Sequence, residues 1–144
     1  MNFSSAAKAY SKVGIETAVG SADPLGLVVM LYDGAILAVN KALAGLRDRN
    51  MRLKGESVSK AIQIIEEGLR ASLDRKAGGN IALQLDSLYE YMCQRLLLAS
   101  VANDAAPMNE VARLLADLRE SWWSLASRPA GGTQAAPQRV TARA

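Results

Sequence analysis

The chain has 144 residues, half of them hydrophobic but only 5% aromatic, with a formal net charge of +3 at pH 7. That length fits one domain with a core that needs neither metal nor disulfide, and a core drawn from Leu, Ala, Val and Ile favours helices. A single cysteine, Cys93, excludes an internal disulfide, and the absence of histidine excludes Ser-His-Asp and Cys-His catalysis, most zinc sites and a histidine proton switch.

Residues 1–22 read as a polar and small-residue lead with Tyr10, Val13, Ile15 and Val19 as its apolar points. The lead lacks the continuous apolar stretch of a secretory signal, so a cytosolic location is expected. Asp23 and Pro24 then form a helix start: Asp caps, and Pro suits the first turn, where no amide hydrogen is needed. This first helix is expected to run to about Arg47. The apolar run over residues 25–32 contains Gly26 and stops at Asp33, which predicts a bundle helix and no membrane insertion.

A second helix is centred on SVSKAIQIIEEGLRASL, with Val58, Ile62, Ile65, Leu69 and Leu73 at helical spacing, and AGGN at 77–80 is expected to end it. Asn80 then caps a third helix with the stripe Ile81, Leu85, Leu88, Met92, Leu96 and Ala99. NDAAP at 103–107 breaks the chain again, and Pro107 opens a fourth helix with Val111, Leu115, Leu118, Trp122 and Leu125 in line. From Arg128 the composition shifts to Ala, Gly, Pro and Arg, a tail too poor in core residues to order itself. Short links favour antiparallel neighbours. The expected fold is therefore an all-α, antiparallel up-down four-helix bundle over 23–127, with the 1–22 segment packed over it and a disordered tail over 128–144.

At 100° per residue, Asp33 lies nearly opposite the apolar arc of the first helix and in line with Asn40. A catalytic reading of Asp33 therefore loses its ground, and Gly34, aligned with Ala38 and Gly45, is expected to let a neighbouring helix approach closely. Val29, Met30 and Leu37 flank Asp33 on the face expected to be wet. Leu83, Leu97 and Val101 likewise project away from the stripe of the third helix, beside Asp86, Glu90 and Gln94. Single exposed apolar residues need no explanation; two helices with three in line point to a partner, the competing readings being scatter or homodimer packing of the protein without its partner.

Other candidates weaken on inspection. Asp33, Glu66, Glu67 and Glu90 lack the histidines that a carboxylate metal site in a bundle uses, and no metal or other cofactor is expected. Cys93 reads as a small core residue, and Trp122 as core. Trp123 is off the stripe, as a lid or an exposed anchor, and Tyr89 and Tyr91 are expected to keep their hydroxyls wet. The last 17 residues hold Arg128, Arg139 and Arg143 and no acid, which leaves a neutral body with 14 acids and an equal number of bases. The residues Arg47, Arg49, Arg52, Lys54 and Lys60 make the most basic stretch, without aromatics to stack on bases. They read as a solvated helix junction, and their alternative use, with the arginine tail, is in a nucleic-acid-binding helical regulator.

Taken together, Tyr10 with VGIET at 13–17, ADP at 22–24, LVVMLYDGA at 27–35, LDSLYEYMCQRLLLASVAND at 85–104 and LLADLRESWWSL at 114–125 resemble the flagellar secretion chaperones, the FliS family. The resemblance covers roughly residues 8–126. It implies a cytosolic, non-enzymatic four-helix bundle that binds the C-terminal segment of flagellin, blocks premature polymerisation, and hands the subunit to the gate protein of the flagellar type III export apparatus. It also implies that the N-terminal segment, here Tyr10, Val13 and Ile15, lies close to the flagellin-binding surface. The residues expected to meet the client are these three together with Val29, Met30, Asp33, Leu37, Asn40, Leu83, Leu97 and Val101.

Overall fold

The computed structural model describes residues 24–126, with four helices and no strand among them. Helix α1 spans Pro24–Arg47; α2 spans Met51–Gln63 and continues as a π-helical segment, Ile64–Arg70; α3 spans Arg75–Ala102 and α4 spans Ala105–Ala126. The expected N-terminal segment with Tyr10, Val13 and Ile15, the Asp23 cap, and the tail over 128–144 lie outside the described residues. Helix α1 packs chiefly on α2 and α4, and α3 closes the ring against α2, its π segment and α4, so that α1 and α3 stand diagonally across the bundle. Short turns join the helices, and the all-α four-helix bundle is as expected.

The core gathers side chains from all four helices: Leu31 and Tyr32, Ile64 and Ile65, Tyr89, Met92 and Leu96, and Met108, Val111 and Leu115 are essentially without exposed surface. Each such side chain contributes roughly 1.5–3 kcal/mol by leaving water, before conformational entropy is subtracted. Helix α1 is long and apolar enough to cross a membrane by length and composition, but half of its most apolar window is buried inside the bundle.

The turn from α1 to α2 is tight for identifiable reasons. Arg49 adopts a left-handed conformation at φ 57°, and the Asn50 side chain accepts from the Leu53 amide at 3.0 Å, capping α2. Gly45 faces the start of α2 so closely that a Cβ there would lie 2.6 Å from the Lys54 amide nitrogen. The small-residue edge of α1 does admit a neighbouring backbone.

The second connection departs from expectation. AGGN at 77–80 does not end α2, which stops at Arg70. Asp74 caps α3 instead, accepting from the amides of Lys76 at 3.2 Å and Ala77 at 3.0 Å, so AGGN falls inside the first turns of α3. Gly79 still makes a left-handed break, at φ 54° and ψ −130°, but as a kink within the helix. Beyond it the buried side of α3 runs through Ala82, Tyr89, Met92, Cys93, Leu96 and Ala99; Ile81 is exposed, and Leu85 and Leu88 are half-buried. In α4 the helix opens at Ala105, ahead of the expected start at Pro107, which sits in the first turn; Asp104 accepts from the Ala106 amide at 3.0 Å. Trp122 is half-buried rather than core, and Leu125 is exposed.

Candidate partner-binding surfaces

On α1, the residues at the outer face divide between its two neighbours. Asp33 is exposed and lies on the α4 side, where Arg119 Nε reaches it at 2.8 Å and Nη2 at 3.5 Å. Val29, one turn earlier on that flank, is buried (4% exposed) although it stands outside the central core, which corrects its placement on a wet face. The physical reason is that α1 has two helical neighbours, so its covered arc is wider than one apolar stripe. Met30 is half-buried against the core, whereas Leu37 is 55% exposed and Asn40 is exposed.

Leu37 belongs to a groove between α1 and α2, about 250 Å³ in volume, with Gly34, Ala38 and Ser57 beneath and Leu53, Lys41 and Glu56 around it. The groove exists because Gly and Ala on α1 leave no side chains to fill the space between the helices. It offers an apolar floor with a charged rim.

On the opposite side of the bundle, α3 turns Leu83 (57% exposed), Leu97 (54%), Leu98 (60%) and Val101 (84%) into water. Leu98, about 60° around the helix from Leu83, joins the expected row. The flanks of this ridge are pinned. On the α2 side Arg70 holds Asp86 in a bidentate pair at 2.7 and 3.3 Å, and Arg75 joins the same carboxylate. Hydrogen bonds from the two guanidiniums hold the Asp86 carboxyl below the usual carboxylate range. On the α4 side Tyr91 donates to Glu110, and Arg95 Nε reaches it at 2.8 Å. Tyr91 is exposed as a whole residue. The apolar ridge thus runs between two ion-paired flanks.

The π segment places Arg70 on this flank. The Ala71 amide reaches back five residues to the Glu66 carbonyl at 3.2 Å, a wide turn that rotates the end of α2 towards α3. Arg70 Nη1 also donates to Glu66 at 3.0 Å. No signal in the sequence announces a π turn.

Two further expectations are corrected inside the bundle. Tyr89 does not keep a wet hydroxyl: it is buried and hydrogen-bonded to the hydroxyl of Tyr32, which in turn accepts from Trp122 Nε1 at 3.1 Å. Burial pushes the Tyr89 phenol up to about 12. Lys54 is not part of a solvated junction. It is buried, and its ammonium donates to the Ser100 carbonyl at 2.8 Å and to Asn103 Oδ1 at 2.7 Å, closing the C-terminal end of α3. Cys93 is a buried core residue, and burial, then the Glu66 carboxylate, pushes its thiol up to about 12.

The candidate residues therefore do not form one patch. Asp33, Leu37 and Asn40 face outward on α1, and Leu83, Leu97 and Val101 face outward on the diagonal helix α3. Among the described residues no group of three or more Cys, Asp or Glu side chains could hold a metal ion.

The family model described as "Flagellar protein FliS" matches residues 6–129. A flagellar secretion chaperone FliS of Salmonella typhimurium (strain LT2) is 47% identical over 122 residues, 85% of this chain and 90% of the relative. Its namesake in Escherichia coli (strain K12) is 43% identical over 115 residues, 80% of this chain and 85% of the relative. A more distant one from Bacillus subtilis (strain 168) is 31% identical over 107 residues, 74% of this chain and 78% of the relative. Matched along most of its length, the chain belongs to the FliS family of flagellar secretion chaperones.

Proposed function

We propose that this protein is a cytosolic export chaperone that binds the disordered C-terminal segment of flagellin, prevents its premature polymerisation and delivers it to the gate of the flagellar type III export apparatus. The observation that carries this reading is the pair of apolar strips that stand exposed, among the described residues, on opposite sides of one bundle: Leu37 over its groove, and Leu83, Leu97, Leu98 and Val101 on α3. A compact partner covers one side only. A segment that uses both strips has to wrap the bundle, which suits a chain without structure of its own. Ordering such a segment costs several kcal/mol of the gross interaction, so a large apolar contact is needed to leave useful affinity. Polar rims such as Asp33, Asn40 and Lys41 keep the empty surface in water. The bundle itself is rigid enough to serve as the template, and the role asks for no catalytic group.

The alternative reading as a nucleic-acid binder loses support within the bundle. Of the basic stretch, Lys54 is buried on the end of α3, Arg52 pairs with Glu56 at 3.0 Å and Arg47 with Asp48 at 3.3 Å. The test of the chaperone reading is co-purification with full-length flagellin and with flagellin lacking its C-terminal segment. Capture of the first alone is expected, and equal capture of both overturns it.

A further inference from the structure

Helix α4 is held in two unlike halves. Met108, Val111 and Leu115 anchor its first half with no exposed surface. Beyond Leu115, none of the residues whose side chains are described is buried. These last turns are held by half-buried Leu118 and Trp122 against the core, by Arg119 on Asp33 and by Trp122 Nε1 on the Tyr32 hydroxyl, and within α4 the Arg119 guanidinium stacks 5.3 Å from the Trp123 ring centre. Asp33 keeps about half of its side-chain surface (49%) in water, so salt screens its pair with Arg119. Helix ends with few buried apolar contacts open locally at low free energy.

What lies beneath is apolar. The Asp33–Arg119 and Tyr32–Trp122 pairs set an antiparallel register that puts Trp123 opposite the buried Val29. Beside it, Pro24, Leu25, Val28, Leu73, Ile81 and Trp122 wall a pocket of about 320 Å³.

We propose that residues 116–126 are a displaceable latch over an apolar shelf on α1, formed by Val28, Val29 and the edge of Tyr32, and that an amphipathic helical segment of the client takes this shelf when the latch lifts. The chemistry of the occupant is read from what covers the shelf now, an amphipathic helix end whose aromatic side chains face α1 and whose guanidinium meets Asp33. The inference rests on the client-binding reading above and adds a covered surface to the two open strips. It also gives Val29 a place in client binding that its burial in the closed bundle denies.

The test is amide hydrogen exchange by mass spectrometry on the full chain, paired with flagellin capture, for wild type, Arg119→Gln and Trp122→Phe. In both variants, amides of residues 116–126 are expected to exchange about tenfold faster while those of 108–115 stay unchanged, and about 0.5 M NaCl does the same to the wild type. Each variant is expected to bind flagellin several-fold tighter, because the opening cost is removed. Exchange at 116–126 no faster than at 108–115 overturns the latch. So does flagellin affinity that is unchanged or weaker in both variants. Failure of the wild type to capture flagellin overturns the client reading instead, and the exchange arm still decides the latch.

Discussion

Replacing Tyr32 by Phe tests how the bundle centre is held. The Tyr32 hydroxyl is the hub of a buried chain, bonded to the Tyr89 hydroxyl and accepting from Trp122 Nε1 at 3.1 Å. Tyr89 is 1% exposed, so Tyr32→Phe leaves its hydroxyl in the core with no water to turn to. An orphaned buried polar group costs about 1–3 kcal/mol, whereas removing both partners of a bond is close to neutral. Trp122 is half-buried and recovers part of its loss from solvent. The single variant is therefore expected to lose about 2 kcal/mol, read as a fall in Tm on the order of 5–10 °C for a domain of this size. Tyr89→Phe is expected to lose about half as much, because Tyr32 keeps the indole donor. The double variant is expected to be no worse than Tyr32→Phe alone, a coupling of about 1 kcal/mol. Urea unfolding followed by circular dichroism measures all three against wild type. Additive losses would show that the two hydroxyls do not depend on each other and would refute the buried-chain reasoning.

Three further outcomes follow from the geometry. Gly45→Ala gains helix propensity but drives a Cβ to within 2.6 Å of the Lys54 amide nitrogen, so a net loss of about 1–3 kcal/mol is expected in thermal melts. Asp86 is held below the ordinary carboxylate range by Arg70 and Arg75, so its contribution to stability is full above the unfolded value of about 3.9 and disappears as pH falls through the folded value. Asp86→Asn is accordingly expected to flatten the acid side of a stability profile below about pH 4 while lowering stability at neutral pH. Cys93, buried with its thiol pushed up to about 12, is expected to react with a disulfide reagent at pH 8 only at the rate of global opening, and at once in denaturant.

Much of this arrangement can be read from the chain before folding, and its exceptions have physical causes. The end of α1 at Arg47 and the outward rows Asp33–Leu37–Asn40 and Leu83–Leu97–Val101 are legible from helical periodicity, because each depends only on local phase. Val29 is misread because periodicity assigns one buried arc, while α1 has a neighbour on each flank. Lys54 is misread because the carbonyl acceptors that make its burial tolerable lie 46 residues away on α3. Tyr89 is misread because the covered arc of α3 is wider than one stripe, and Ile81 because it stands beside an open pocket rather than under a neighbouring helix. The π turn at Ile64–Arg70, which carries Arg70 to Asp86, has no signature in residue pattern at all.

The central claim, that exposed apolar strips on this bundle hold the flagellin C-terminal segment, is tested most directly by titrating flagellin into wild type and into a Leu97→Glu, Val101→Glu variant. Both side chains already stand in water, so the fold and Tm are expected to stay within about 0.5 kcal/mol of wild type. The account predicts that flagellin affinity falls at least tenfold in the charged variant. Affinity equal to that of wild type, with the fold intact, would contradict it.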